Sequence, residues 1–339
     1  MTGGKTTSFD IAYRAGVSQP TVSRALRGDK AVSLATRAKI ERIARELNYA
    51  VDRNASCLRS RRTDTVALLF FEDPAPDASM INPFYLAMLG SITRACGARG
   101  LDLLVSYQRM EDDWHRRYQE SRRADGLILL GYGNHEVYAA KLAQLATDGT
   151  HFTRWGPTGC ADGGATIGSD NLGAGRTVGE HLLERGRRRI AFLGRADASS
   201  PEFAHRLQGL RLALREAGID ADPALQHDAV SCEEAGHRAA LRLLDSGEPF
   251  DAVFAASDLI AIGALRALAE RGLRVPEEVA LAGFDNIPAS ALTQPALTTV
   301  MQDTGGAGDR LVEALLAQIE GRAQPPAILP TKLIVRASS

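Results

Sequence analysis

Four cysteines, Cys57, Cys96, Cys160 and Cys232, are spread through 339 residues with no Cys-x-x-Cys pair among them. That spacing argues against a zinc ribbon and a disulfide framework and fits a reducing compartment. No apolar run approaches the ~18 residues that a membrane-spanning helix needs. The opening MTGGKTTSFD also lacks the apolar stretch of a signal peptide. The expectation is therefore a cytoplasmic protein, neither exported nor membrane-spanning. Catalytic signatures are missing as well. There is no His-Glu-x-x-His, no Gly-x-Ser-x-Gly and no Walker lysine, and the seven histidines are scattered. No metal or other cofactor is expected.

Net charge is nearly absent too, at −1, but that figure hides a division. Residues 1–64 hold 13 Lys and Arg against six Asp and Glu, a balance of +7, while the remainder is at −8. A basic head on an acidic body points to a polyanion partner for the head. A solvated helical domain could carry the same excess, so the pattern within the head has to decide.

Thr7-Ser8-Phe9-Asp10 reads as a capping box opening a helix over about 8–15, with Ile11, Ala12 and Ala15 on one side. Gly16 permits a left-handed turn, and Val17 plugs the small core beneath it. Ser18 caps a second helix, about 19–27, where Pro20 is tolerated in the first turn and Val22, Ala25 and Leu26 face inwards. Ser33 caps a third, about 34–47, with Ile40, Ile43, Ala44 and Leu47 at helical spacing. Helix, tight glycine turn, helix and bracing helix make the helix-turn-helix plan. The second helix turns Gln19, Thr21, Ser23 and Arg24 outwards. Arg and Gln suit base edges, and Ser and Thr suit phosphates. A three-helix domain with no ligand would leave the coincidence of basic excess and turn unexplained.

The run FDIAYRAGVSQPTVSRALRG, followed by VSLATRAKIERIARELNY and DRNASCLRSRRT, resembles the headpiece and hinge of the lactose/galactose-repressor family of bacterial regulators. The resemblance implies operator contacts from Thr7, Ser18, Gln19, Pro20, Thr21, Ser23, Arg24, Asn48 and Tyr49. Gln19, Pro20 and Arg24 take the base-reading positions. Because Pro20 offers no side-chain polar group, Gln19 and Arg24 carry more of the readout. The segment 52–60 is polar and too short to be a stable helix alone. In the family the equivalent hinge folds on the operator. Leu58 stands at the leucine that wedges into the minor groove, and Ala55 at the small residue that lets two hinges pack. Val51 departs from the proline usual at the hinge entry.

From Thr65 the rhythm changes. TVALLFF, LDLLVSY, DGLILLG, RRRIAFLG, FDAVFAAS and EVALAGFD are short apolar runs, each followed by a helical pattern. They predict parallel sheets flanked by helices, in two similar lobes. Ligands of such sheets lie beyond the carboxyl ends of the strands. Those ends supply Asn82, Phe84, Tyr85, Tyr132 and Trp155 from the first lobe. The second supplies Asp170-Asn171, Ser199-Ser200, Arg206, Ser257-Asp258 and Asp285-Asn286. Flat rings for C–H faces and charged groups for hydroxyls are what a sugar requires. Singly, such an Asp can be only a helix cap and Phe84 only core.

The body also resembles the family's effector domain, itself similar to two-lobed periplasmic sugar-binding proteins. It does so through the NPFY loop, SDN…HLLERGRRRIAFLG, SDLIAIGALRAL and GFDN…LTTV. The resemblance implies an α/β fold with an N-terminal all-α helix-turn-helix headpiece (1–51), a hinge (52–63) and an effector-binding and dimerisation domain (64–339). The first lobe would span about 64–162 and 301–325, and the second about 163–300 and 326–339, with crossings near 163, 300 and 326. Effector contacts would come from Phe84, Tyr85, Tyr132, Trp155, Arg206, Ser257, Asp258 and Asp285, with Arg206 and Asp285 as the main grip. Ser257 stands where some members have Asn, and Trp155 where others are polar. The chain ends soon after TKLIVRA without a heptad helix, so a homodimer on pseudo-palindromic operator DNA is the simplest assembly.

Two rival readings compete with this one. A dinucleotide-binding enzyme could use GAGRTVG (173–179), but no acid follows a second strand at the required place, and those glycines are assigned to helix–sheet packing and turns. A sugar-binding protein without a DNA role would have no use for the basic head. The expectation is a sequence-specific transcriptional repressor of carbohydrate-use genes, controlled by a small sugar or sugar derivative.

Overall fold

The structure is a computed structural model and describes residues 6–26, 28–49, 62–71, 81–109, 114–119, 121–131, 133–158, 165–322 and 324–339. Two compact units divide the chain, Met1–Thr63 and Asp64–Ser339.

The first unit contains α1 (Ser8–Ala15), α2 (Gln19–Leu26) and α3 (Leu34–Glu46). The Gly16 turn has φ 67°, and the Val17 N–H returns to the Ala12 carbonyl at 3.1 Å, closing α1. Ile11, Val22, Ala25 and Ile40 are fully buried where the three helices meet, and Val17, Leu26 and Leu47 pack against them. The expected capping box is present. The Asp10 carboxylate accepts from both the backbone N–H and the hydroxyl of Thr7, each at 2.8 Å, and the Thr7 side chain faces the Asp10 backbone in return. Those two bonds hold the Asp10 carboxyl below the ordinary range. The third helix ends at Glu46, with Leu47 as its cap; the end expected at 27 for α2 lies outside the described residues.

The second unit is built on parallel sheets. A six-stranded sheet runs β11-β5-β4-β3-β1-β2, from β1 (Thr65–Phe71), β2 (Asp102–Gln108), β3 (Gly126–Leu130), β4 (Phe152–Trp155), β5 (Ala165–Ser169) and β11 (Ala327–Leu329). The absence of alternation in TVALLFF has a physical cause. Val66, Leu68 and Phe70 enter one core, and Ala67, Leu69 and Phe71 enter the core on the opposite face. Helices α4 (Pro83–Ala98) and α11 (Thr304–Ile319) cover the first face. Helices α5 (Trp114–Gln119) and α6 (His135–Thr147) cover the second.

A four-stranded sheet, β7-β6-β8-β9, forms the other lobe from β6 (Ile190–Leu193), β7 (Gln226–His227), β8 (Ala252–Ala255) and β9 (Ala280–Ala282). It carries α7 (Asn171–Glu184), α8 (Pro201–Glu216), α9 (Glu233–Asp245) and α10 (Asp258–Glu270). The strands β10 (Thr299–Gln302) and β12 (Thr331–Ile334) pair antiparallel. Single bridges, Ala282 to Thr298 and Asp285 to Met301, dock the first of them on the second lobe.

The lobe crossings fall later than expected. β5 stays in the first sheet through its ladder with β4, so the chain leaves at Asp170 rather than near 163. β10 still belongs to the second lobe, which moves the next crossing from 300 to Asp303, just before α11. β11 pairs with β5, and this moves the last crossing from 326 to Pro330. In each case the backbone ladder outlasts the boundary that the family resemblance implied.

Two glycines of GAGRTVG, Gly175 and Gly179, need reassignment because they serve a helix–helix contact, while Gly173 lies against the Asp170 cap. A Cβ on Gly175 would lie 2.2 Å from the Arg206 carbonyl oxygen, and one on Gly209 would lie 2.2 Å from that of Leu172. Helices α7 and α8 therefore touch backbone to backbone. Gly175→Ala should lower unfolding stability by about 1–3 kcal/mol, the usual cost of overpacking. Gly97→Ala, at a helical site with nothing within 4 Å, is the control and should be neutral or stabilising. Urea unfolding of both variants tests this, and equal midpoints would remove the contact from the account.

Candidate functional site

In the first unit the exposed side of α2 carries Ser18, Pro20 and Arg24, with Gln19, Thr21 and Ser23 half-buried. Gln19 Nε2 donates to Ser8 Oγ at 3.2 Å, so its amide is braced against α1 while its chain faces out. The hydroxyls of Ser18 and Thr21 pair at 2.9 Å. Thr7 is exposed at the start of α1. Asn48 is exposed at φ 48°, just past α3, and Tyr49 packs on the head core. Ala55 and Leu58 lie outside the described residues.

In the second unit a cleft of about 850 Å³, counting its open mouth, lies between the lobes. Asn82, Phe84, Tyr85, Trp155 and Ser169 line it from the first lobe, and Asn171, Arg206 and Asp285 from the second. Tyr132 lies outside the described residues. The NPFY loop explains the first wall. Asn82 caps α4 by accepting the Phe84 N–H at 3.0 Å, with Pro83 beginning the helix. That places the Phe84 ring 5.4 Å from Tyr85 and 5.9 Å from Trp155, all tilted. Three rings thus make an apolar wall.

Arg206 faces it. The residue is only 4% exposed, and its guanidinium carbon sits 3.5 Å from the centroid of the Phe284 ring. Its Nε donates to Asn171 Oδ1 at 2.8 Å, and Nη1 donates to the Ala256 carbonyl. Such anchoring fixes the fork at little further loss of side-chain freedom on binding. Asp285 lies beside it, held at φ 110°, and accepts from Gln302 Nε2 at 2.6 Å. Burial pushes its carboxyl up to about 6, against the opposing pull of Arg206 and Gln302. Ser169 Oγ is buried in the wall and has no hydrogen-bond partner among the described residues.

Two expected contacts are corrected. Ser257 and Asp258 do not line the cleft. Both are buried, at 1% and 0% exposure, and the segment after β9 folds over Asp258 at the start of α10. Ser257 reaches the cleft only through Ser231, whose hydroxyl donates to Ser257 Oγ at 2.9 Å and accepts from Asn82 Nδ2 at 3.2 Å. This relay joins the lobes, as does the His135 N–H donating to the Ser199 carbonyl at 3.1 Å.

Sequence reasoning missed Arg195, Glu202, Phe203, Ser231 and Gln302, all of which line the cleft. Glu202 and Phe203 sit four and three residues before Arg206 on α8, and helical spacing alone would have found them. The charged lining then balances, with Arg195 and Arg206 against Glu202 and Asp285. Among the described residues no group of three or more His, Cys, Asp and Glu is placed to hold a metal ion. None of their helices is long and apolar enough to cross a membrane.

Comparison with known proteins agrees with this geometry. Residues 9–52 match the family model for bacterial regulatory proteins of the lacI family, and residues 180–339 match a periplasmic binding protein-like domain. The chain is 34% identical over 333 residues to the HTH-type transcriptional regulator CelR of Thermobifida fusca, covering 97% of this chain and 96% of the relative. It is 30% identical over 318 residues to the ribose operon repressor of Escherichia coli K12, covering 92% and 93%. Among solved structures it is similar to a transcriptional regulator CelR–cellobiose complex, with a TM-score of 0.73, 32% identity and coverage of 98% and 100%. It is also similar to the lac repressor dimer bound to operator and the anti-inducer ONPF, with a TM-score of 0.83, 25% identity and 99% coverage of each.

Proposed function

The chain belongs to the lacI family of bacterial regulatory proteins and is a DNA-binding transcriptional regulator rather than an enzyme; from that premise we propose that it is a cytoplasmic, homodimeric repressor of carbohydrate-use genes, released by a neutral sugar bound between its lobes. The observation that carries the effector class is the cleft lining. Phe84, Tyr85 and Trp155 supply faces for sugar C–H groups, and the anchored Arg206 beside Asp285 supplies a donor and an acceptor for vicinal hydroxyls. Two cations against two carboxylates leave no excess to attract an anion, which favours a neutral sugar over a sugar phosphate. The relative solved with cellobiose makes neutral disaccharides the first compounds to try.

On the DNA side, α2 and its Arg24 support major-groove readout, and the basic head supports a strong phosphate contribution. Operator half-sites about one helical turn apart would match a two-fold dimer. The hinge positions Ala55 and Leu58 are assigned to the minor groove at the centre of the site by the family resemblance alone.

Arg24→Ala should cost about 1–3 kcal/mol on a site selected by the wild-type protein from random DNA, and should relax preference at one base pair. Fluorescence anisotropy on matched and mismatched sites measures both. Undiminished affinity would remove Arg24 from the readout.

Arg206→Ala should bind the same site as tightly as wild type yet keep hold of it at sugar concentrations that release wild type. The sugar is to be found by thermal shift against neutral mono- and disaccharides, cellobiose included, with sugar phosphates as the contrast. Binding should weaken as pH falls through about 6, because a protonated Asp285 loses its charge-assisted acceptor role. A shift by sugar phosphates alone, or normal release of the Arg206 variant, would overturn the placement.

A further inference from the structure

Asp258 is the first residue of α10, fully buried, and absent from the cleft lining. Three of its atoms are nevertheless committed to other elements. Its N–H donates to the Phe284 carbonyl at 2.7 Å, and Oδ2 accepts the Ile287 N–H at 2.8 Å. Oδ1 meets Thr299 Oγ1, on β10, at 2.5 Å. Thr299 Oγ1 in turn accepts the Asn286 N–H at 3.3 Å. One carboxyl thus touches both ends of a connection. The segment 284–287 carries Asp285 into the cleft, and β10 is the strand that leads into the second crossing between the lobes.

The segment needs holding. Asp285 at φ 110° and Asn286 at φ 51° occupy backbone regions that L-residues rarely adopt and that persist only when surroundings enforce them. Arg336, just beyond β12, adds a second grip. Its Nη2 donates to Asn286 Oδ1 at 2.6 Å, and its Nη1 donates to Ser290 Oγ at 3.1 Å and to the Leu297 carbonyl at 2.7 Å. The close approach leaves no space for a side chain at Gly283, whose Cβ would fall 2.4 Å from Asp258 Oδ1.

We propose that Asp258 is a positioning residue, the clasp that makes the Asp285 segment of the cleft and the crossing strand β10 move as one body. The proposal rests on the reading of the cleft as the effector site and adds the route by which occupancy reaches the crossings. The chemistry of the clasp is that of a neutral acid. Burial, aided by the like charge of Asp285, pushes the Asp258 carboxyl up to about 8, against Thr299, the Ile287 N–H and Arg336. Asp285 on the segment and Arg336 beyond β12 are the charged groups facing it; β9 and β10 carry none. A neutral carboxyl accepts the Ile287 N–H on one oxygen and shares a proton with the Thr299 hydroxyl on the other, since a hydroxyl can donate or accept. An asparagine amide can make the same two contacts, and an alanine neither.

The test is hydrogen exchange of the full chain at pH 7 in wild type, Asp258→Asn, Asp258→Ala and the milder Thr299→Val. Asp258→Ala should speed exchange by about tenfold in both 284–290 and 298–302, leaving β6 unchanged. Thr299→Val should loosen the same two segments less, and Asp258→Asn should match wild type. Faster exchange in one segment alone, equal loosening across the lobe in Thr299→Val, or no rescue by Asn would overturn the clasp.

A second readout is the melting temperature of wild type minus that of Asp258→Asn. The folded carboxyl keeps its proton to about 8 and the unfolded one sheds it near 3.8, so this difference should fall as pH rises between those values and level off above them. A flat difference would mean that the carboxyl is not enclosed and would sink the assignment. Neither readout uses a ligand, so the clasp and the sugar reading can fail separately.

Discussion

A buried guanidinium organises the second unit. Moving a charge such as that of Arg206 out of water costs several kcal/mol unless hydrogen bonds and an opposing charge repay it. Repayment comes from partners that include the Asn171 amide, the Ala256 carbonyl, the face of Phe284 and the Asp285 carboxylate. These partners constrain three separate stretches of chain. Asn171 begins α7, immediately after the first crossing, so the fork is built at the point where the chain changes lobes. Ala256 follows β8, while Phe284 and Asp285 follow β9. Bringing α8 close enough to α7 for the Nε bond is what demands glycine at 175 and 209, since each lies against the partner helix's backbone.

Much of this was legible in the sequence because the rules involved are local. Apolar runs without alternation mark strands covered on both faces, and β1 feeds two cores as that reasoning requires. Helix caps and the Gly16 turn are short-range chemistry, and α1 and α3 fall within a residue or so of their expected ends. Phe84, Tyr85, Trp155, Arg206 and Asp285 all line one cleft because strand ends of parallel sheets converge there.

The errors share one cause, which is that a strand end says nothing about what later folds over it. Ser257-Asp258 has the same pattern as Asp285-Asn286, a polar pair following a strand. Only the tertiary path of 284–287 buries Asp258 and leaves Asp285 in the cleft. Crossing points failed for a similar reason. Where a ladder stops depends on the neighbouring strand, as β5 shows by continuing alongside β4. Gln302 was passed over because it lies at the end of a strand whose partner, β12, comes from the far end of the chain.

What remains is how a small ligand can move so well packed a body. Each lobe has its own buried core, and close-packed interiors resist continuous deformation. Between the lobes the polar ties include the Asn82–Ser231 bond and the His135–Ser199 bond, each worth on the order of 1 kcal/mol net. The soft coordinate is therefore the angle between lobes, with the three crossing segments as its covalent constraint among the described residues. A ligand that touches Phe84 and Trp155 on one side and Arg206 and Asp285 on the other makes its full set of contacts at one angle only. Differential affinity of about 1–3 kcal/mol for that angle is enough to shift the population 5- to 150-fold, without distorting either core.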